Sequence, residues 1–217
     1  MPDFAARRTM MVDTQVRPSD VTKFPIIEAM LHTPREEFVP ASMREAAYVG
    51  ENLALSNDRV LLEPRTLAKM LDILDISPDE LVLDVGCGLG YSTAVVARMA
   101  EAVVAVEEDE GWAGEAQDAL AATGVDNAIV HVGPLAAGAG KHGPYDAILV
   151  QGGIANLPGE LAEQLKNGGR IVCLFVDGAV GHVQMGLKEA GQISWRIVFD
   201  AGAPVLPGFE KAREFQL

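Results

Sequence analysis

Apolar and polar positions along the second two thirds of the chain fall into two alternating regimes. Short apolar runs at 81–85, 102–107, 127–132, 146–150 and 170–176 read as strands, the first with Leu81, Val82 and Leu83 suited to burial on both faces. Segments at 91–100, 111–122 and 157–166 carry helical spacing between them, the last closed by Gly168-Gly169 as a C-cap. This alternation predicts an α/β fold: a mostly parallel, Rossmann-like sheet with helices on both faces. The pattern then changes. HVQMGLKE and QISWRIVFD flank Ala190-Gly191 and read as an antiparallel hairpin, whose last strand is expected to insert antiparallel, whereas a plain dinucleotide fold would continue in βαβ units. Upstream, 5–16 and 20–31 have helical spacing, the second stopping before Thr33-Pro34, and a short helical segment is expected around 42–48. Residues 49–64 have no regular pattern, and 65–74 places Leu67, Met70, Leu71 and Leu74 on one helix face. The expected organisation is an N-terminal helical extension over 1–64 and a ligand-binding unit over 65–217.

The densest chemistry lies at the end of the first strand, in LVLDVGCGLGY. Gly86, Gly88 and Gly90 let the chain turn sharply and bring backbone N–H groups, including that of Cys87, close to a ligand. Dinucleotide folds use G-x-G-x-x-G at this place. Here the spacing is G-x-G-x-G, with Asp84 two positions before the first glycine. A carboxylate there repels a pyrophosphate but suits a cationic or hydroxyl-bearing ligand. The combination is similar to motif I of class I methyltransferases that use S-adenosyl-L-methionine (AdoMet). Glu107 ends the second strand, 23 positions after Asp84, where an acid can accept hydrogen bonds from both hydroxyls of a ribose. A turn without a ligand explains the glycines but not the two acids.

Composition narrows the partners. The net charge of −14 argues against nucleic acid, which needs clustered Lys and Arg. The nearest approach to a basic patch is Arg59, Arg65 and Lys69, interrupted by Glu63, and these arginines read as surface residues. No apolar run is long enough for a membrane span, and no apolar leader precedes the first helix. The two cysteines, Cys87 and Cys173, look like small buried residues, which fits a reducing, cytoplasmic setting. His32, His131, His142 and His182 are scattered without metal-ligand spacing.

Several segments outside the glycine turn resemble one family, the protein-L-isoaspartate O-methyltransferases. MVDTQ resembles its M-V-x-x-Q, PREEFVP its P-R-x-x-F-V-P, and AYVGENL its A-Y-x-x-x-x-L. LDVGCGLGYSTAVVA, GPYDAILVQGG and LPGELAEQLKNGGRIV resemble its glycine motif, its P-Y-D-A-I and its P-x-x-L-x-x-Q-L-x-x-G-G-R-x-V. The likeness runs over about residues 11–176. It implies AdoMet as methyl donor, held by Asp84, Gly86, Cys87, Gly88, Gly90, Glu107, Gly133 and Leu135, and isoaspartyl residues of damaged proteins or peptides as acceptors. Two departures stand out. The family's substrate loop reads T-I-S-Q-P, and the position of its catalytic Ser or Thr is Leu62, which cannot donate a hydrogen bond to a carboxylate. The family's G-D-G after the third strand is Gly133-Pro134-Leu135, so the acid that meets the adenine amino group is missing, leaving the Leu135 N–H. A related enzyme with another, unidentified small acceptor, or a cofactor-binding protein without isoaspartyl activity, therefore competes with the family's own reaction. No general base is expected, because a carboxylate acceptor is already ionised at neutral pH. Arg59 or Arg65 can supply the positive charge that an anionic acceptor needs.

Overall fold

The computed structural model describes residues 3–178 and 180–211. Helix α1 (Phe4–Met11) starts under Asp3, whose carboxylate accepts the Ala6 N–H, and runs into a π-helical turn at Val12–Val16 and a 3-10 turn at Arg17–Ser19. Helix α2 (Phe24–His32) has Pro25 in its first turn, where a missing N–H costs nothing. Short 3-10 turns at Arg35–Phe38 and Ala41–Ala46 follow. Strands β1 (Leu53–Ala54) and β2 (Val60–Leu61) pair antiparallel within the stretch that showed no pattern; two residues are too few for a periodicity to register. Helix α3 (Pro64–Leu74) buries Leu67, Met70, Leu71 and Leu74, the face its spacing predicts.

The alternating region follows as β3 (Leu81–Val85), α4 (Tyr91–Ala97), β4 (Ala102–Glu107), α5 (Glu110–Ala122), β5 (Ala128–Val132), β6 (Tyr145–Ile154), α6 (Gly159–Glu163), β7 (Leu165–Asp177), β8 (Val180–Glu189) and β9 (Gln192–Asp200). They form one seven-stranded sheet in the order β5-β4-β3-β6-β7-β8-β9. Strands β3 to β7 are parallel, and β8 and β9 are each antiparallel to the strand before them.

Two expectations are corrected. The last strand does not insert: β8 lies against β7, and β9 takes the outer edge. Two residues separate Asp177 from Val180 and two separate Glu189 from Gln192, and links that short make consecutive strands pair rather than let one pass between the others. The helix expected over 157–166 is only Gly159–Glu163, and Gly168-Gly169 does not cap it. Both glycines lie inside β7, at a register shift between Tyr145↔Leu165 and Ala147↔Arg170. Gly168 has φ +82°, and a side-chain carbon on Gly169 would stand 2.9 Å from the Lys166 carbonyl oxygen, so the pair makes a bulge.

Each parallel strand sends successive residues to opposite faces. Val82, Val103, Leu149 and Val172 pack under α2, α3 and α4, in one core with Met30, Leu71 and Val95. Leu83, Val85, Val104, Ile148, Ile171 and Cys173 face the other side, covered by Leu161 of α6, Leu135, Leu206 and Phe209. That second face is closed largely by the chain after β9. The Gly153 N–H donates to the Pro204 carbonyl (2.8 Å), and the Leu206 N–H donates back to the Gly153 carbonyl (2.8 Å). The sheet order reverses between β3 and β6, where ligands of open α/β sheets bind beyond the carboxyl ends of the strands.

Candidate cofactor site at the strand ends

All three glycines of the turn have positive φ: +78° at Gly86, +56° at Gly88 and +93° at Gly90. Side chains rarely adopt these values, so the turn requires glycine. The Gly86 and Cys87 N–H groups donate to the Val106 carbonyl (2.9 and 3.2 Å), tying the turn to β4. A side-chain carbon on Gly90 would stand 3.3 Å from the Ala116 side chain of α5, a tight contact that adds to the demand of its positive φ.

Asp84 is fully buried and faces inward. Its Oδ2 accepts from the Ser92 and Thr93 hydroxyls (both 2.7 Å), and its Oδ1 accepts from the Gln151 amide (2.9 Å). Burial raises its carboxyl above the usual range, and those three hydrogen bonds only partly offset the rise. Asp84 thereby fastens the first turn of α4 to the end of β6. The Cys87 thiol is pushed well up, first by burial and then by the Asp84 and Glu107 carboxylates, and burial does the same to Cys173, so neither is a nucleophile.

Glu107 is also fully buried, but its partners differ. Oε2 accepts the Gly88 N–H (2.8 Å), and Oε1 accepts those of Glu108 (2.9 Å) and Asp109 (3.1 Å). The remaining side of the carboxylate holds Arg59 in a fork, Nη1 to Oε1 at 2.8 Å and Nη2 to Oε2 at 2.5 Å. Arg59 is 4 % exposed, which corrects its reading as a surface residue. It reaches Glu107 from the loop between β1 and β2, with its guanidinium 5.3 Å from the Trp112 ring centre and 4.0 Å from Glu108. Burial opposes its charge, yet the hydrogen bonds and the field of Glu107 raise its pKa overall. Beside it, Leu55 would come within 3.1 Å of a side-chain carbon on Gly88, and Leu206 within 3.4 Å of one on Gly86.

The Gly133 N–H donates to the Glu107 carbonyl (3.0 Å), which joins the ends of β4 and β5. Leu135 is buried with its side chain toward Gly86, and Pro134 is exposed. Arg65 is exposed, 3.7 Å from Glu63, and does not join Arg59. Leu62 is 1 % exposed and lies in the core under α3 and α4; its carbonyl accepts from the buried Arg35 (2.8 Å), whose guanidinium lies 4.5 Å from the Tyr91 ring centre. Ser92, Thr93, Gln151, Trp112, Leu55 and Leu206 escape a reading from sequence. Only the Ser-Thr pair one helical turn after an acid-glycine motif carries a local signal, since a buried acid needs donors. Among the described residues, no group of three or more His, Cys, Asp or Glu is placed to hold a metal ion.

The chain is similar to known proteins in sequence and in fold. A family model described as protein-L-isoaspartate(D-aspartate) O-methyltransferase matches residues 7–198. A protein-L-isoaspartate O-methyltransferase from Roseiflexus castenholzii is 34% identical over 189 residues, covering 87% of this chain and 86% of the relative. One from Syntrophus aciditrophicus is 37% identical over 172 residues, 79% of each chain. A solved protein-L-isoaspartate O-methyltransferase superposes with a TM-score of 0.81 at 23% identity, over 93% of this chain and 66% of the solved one. A Plasmodium falciparum chain described as a protein-L-isoaspartate O-methyltransferase in complex with S-adenosyl-L-homocysteine superposes with a TM-score of 0.78 at 18% identity, over 95% and 99% of the two chains.

Proposed function

The chain belongs to the protein-L-isoaspartate O-methyltransferase family, and we propose that it transfers a methyl group from AdoMet to the free carboxylate of isoaspartyl residues in damaged proteins and peptides. The observation that carries this reading is the pairing of a positive-φ glycine turn with a buried Glu107 at the end of the neighbouring strand. A vicinal diol can occupy the face of Glu107 that Arg59 holds, because both are two-pronged donors of similar reach. With Arg59 moved aside, the residues present fit the nucleoside.

When bound, AdoMet supplies an electrophilic methyl carbon on a positively charged sulfur, which passes to a carboxylate oxygen and leaves a neutral thioether and a methyl ester. The chain contributes position and dryness. Asp84 keeps the turn rigid through Ser92, Thr93 and Gln151. Glu107 holds the ribose and the Gly86–Gly90 turn the methionine portion, with Gly133 and Leu135 beside the base. Leu206, which lies over Gly86, keeps water from the turn. Residues 1–64 supply the helical extension and the substrate loop, and 65–217 the AdoMet-binding unit. The setting is the reducing cytoplasm, and no helix among the described residues is long and apolar enough to cross a membrane.

The test is incubation with methyl-labelled AdoMet and an isoaspartyl peptide: base-labile methyl ester on the peptide supports the reading, and its absence contradicts it. Leu62 favours a second reading, a related methyltransferase with a different acceptor, because a buried leucine offers no hydroxyl to a substrate carboxylate. Binding of S-adenosyl-L-homocysteine without ester formation on the peptide selects that reading. Failure to bind it removes the cofactor premise.

A further inference from the structure

Glu107 has no acceptor to spare. A carboxylate offers about four lone-pair directions, and three backbone N–H groups and a bidentate guanidinium already use them. The three N–H groups come from the turn and from the start of the segment leading to α5, so they are fixed with the fold. Arg59 is the exchangeable partner. It hangs from the loop between β1 and β2, whose Ser56, Asn57 and Asp58 are exposed. That loop is tied to itself, Leu55 and Ser56 N–H to the Arg59 carbonyl (2.9 and 3.1 Å) and Ser56 Oγ to Asp58 (2.7 Å), so it can move as a unit. Leu55 moves with it, and Leu55 covers Gly88.

Exchange also changes the charge. A diol brings two donors and no charge, whereas the guanidinium it replaces is cationic. The Arg59 Nη2 lies 3.6 Å from the point where a Gly86 side chain would begin, directly over the turn. Displacement therefore leaves a cation beside the place where the acceptor must arrive, with the exposed Glu108 carboxylate near it. In a chain of net charge −14, Arg65, the other arginine expected in that role, faces solvent beside Glu63, and the buried Arg35 is locked on two backbone carbonyls.

We propose that Arg59 is a positioning residue with two alternating partners. It occupies Glu107 in place of the ribose diol while the nucleoside is absent, and once displaced it pairs with the carboxylate of the acceptor, supplying the contact that Leu62 cannot. This rests on the methyl-transfer reading above. The occupied state lowers nucleoside affinity by the fraction of time it holds Glu107, and it couples opening of the 55–59 loop to nucleoside binding.

The test is titration calorimetry of the full chain with S-adenosyl-L-homocysteine, for wild type, Arg59→Gln and Arg59→Lys, followed by steady-state kinetics with an isoaspartyl peptide. Arg59→Gln is expected to bind S-adenosyl-L-homocysteine about tenfold more tightly, the occupant being gone, while KM for the peptide rises about tenfold or more with kcat changed by less than about threefold. Arg59→Lys keeps the charge but not the fork, so it should retain the tighter nucleoside binding and restore much of the peptide KM. Unchanged or weaker nucleoside binding in both variants, with wild type binding normally, overturns the alternation. An unchanged peptide KM in Arg59→Gln overturns its acceptor half. If wild type and both variants all fail to bind S-adenosyl-L-homocysteine, the methyl-transfer reading itself falls, and this proposal with it.

Discussion

Two buried carboxylates stand at the ends of adjacent strands, and they are satisfied in opposite ways. Asp84 takes three neutral side-chain donors from α4 and β6, elements locked into the sheet and its helices. Glu107 takes fixed backbone N–H groups on one side and a cation on a surface loop on the other. The first arrangement has no partner that can leave, so it behaves as framework. The second has one that can, so it behaves as a socket with a resident occupant. Both acids are fully buried; what separates them is whether a donor belongs to the rigid fold.

Substitutions can break this contrast. The largest effect is expected at Asp84→Ala, which leaves the Ser92, Thr93 and Gln151 donors unpaired in the interior. It should cost roughly 3–5 kcal/mol of stability, measured by urea unfolding. A loss below about 1 kcal/mol would mean that Asp84 is not framework. Next, Gly90→Ala imposes φ +93° on a side chain packed against the α5 backbone and should cost about 2–3 kcal/mol. Gly88→Ala meets only the tip of Leu55 on the movable loop, and should cost less in stability than Gly90→Ala in the same unfolding experiment.

Glu107→Gln is predicted to be milder in stability than Asp84→Ala. A cation trapped without its partner costs roughly 3–5 kcal/mol, but Arg59 can follow its loop into solvent, so the loss should be about 1–2 kcal/mol. Calorimetry on the same variant should show S-adenosyl-L-homocysteine binding weakened at least about tenfold. Equal stability losses at the two acids would erase the distinction.

The smallest effect concerns pH. Asp84 holds its proton more tightly in the folded protein than in the unfolded chain, because burial raises its carboxyl. Its contribution to stability is therefore most favourable below the unfolded value of 3.8 and declines as pH rises through the higher folded value. The stability of wild type relative to Asp84→Asn should accordingly fall from pH 4 toward neutral. A gap that widens with rising pH would contradict the burial argument.

The difference between the two acids also explains what could be read from the sequence. Strand-length apolar runs and the glycine spacing report on backbone demands that are local, so the sheet from β3 to β7, the turn and both acids were legible. The hairpin after β7 was visible too, but its place in the sheet followed from link lengths rather than from pattern, and the expected insertion was wrong. Gly168-Gly169 looked like a helix cap because a bulge and a cap both call for glycine. Arg59 was visible only as a charge. Its partner lies 48 positions away, and neither residue's neighbourhood hints at the pairing. Leu206 and Gln151 carry no signal at all, since each matters through a contact with a segment distant in sequence.

The most direct measurement is a crystal structure of the full chain with S-adenosyl-L-homocysteine bound. The ribose hydroxyls should sit on the Glu107 carboxylate, with Arg59 displaced and the 55–59 loop shifted, while Asp84 keeps Ser92, Thr93 and Gln151. A complex in which Arg59 remains forked on Glu107 and the ribose is held elsewhere would contradict the account.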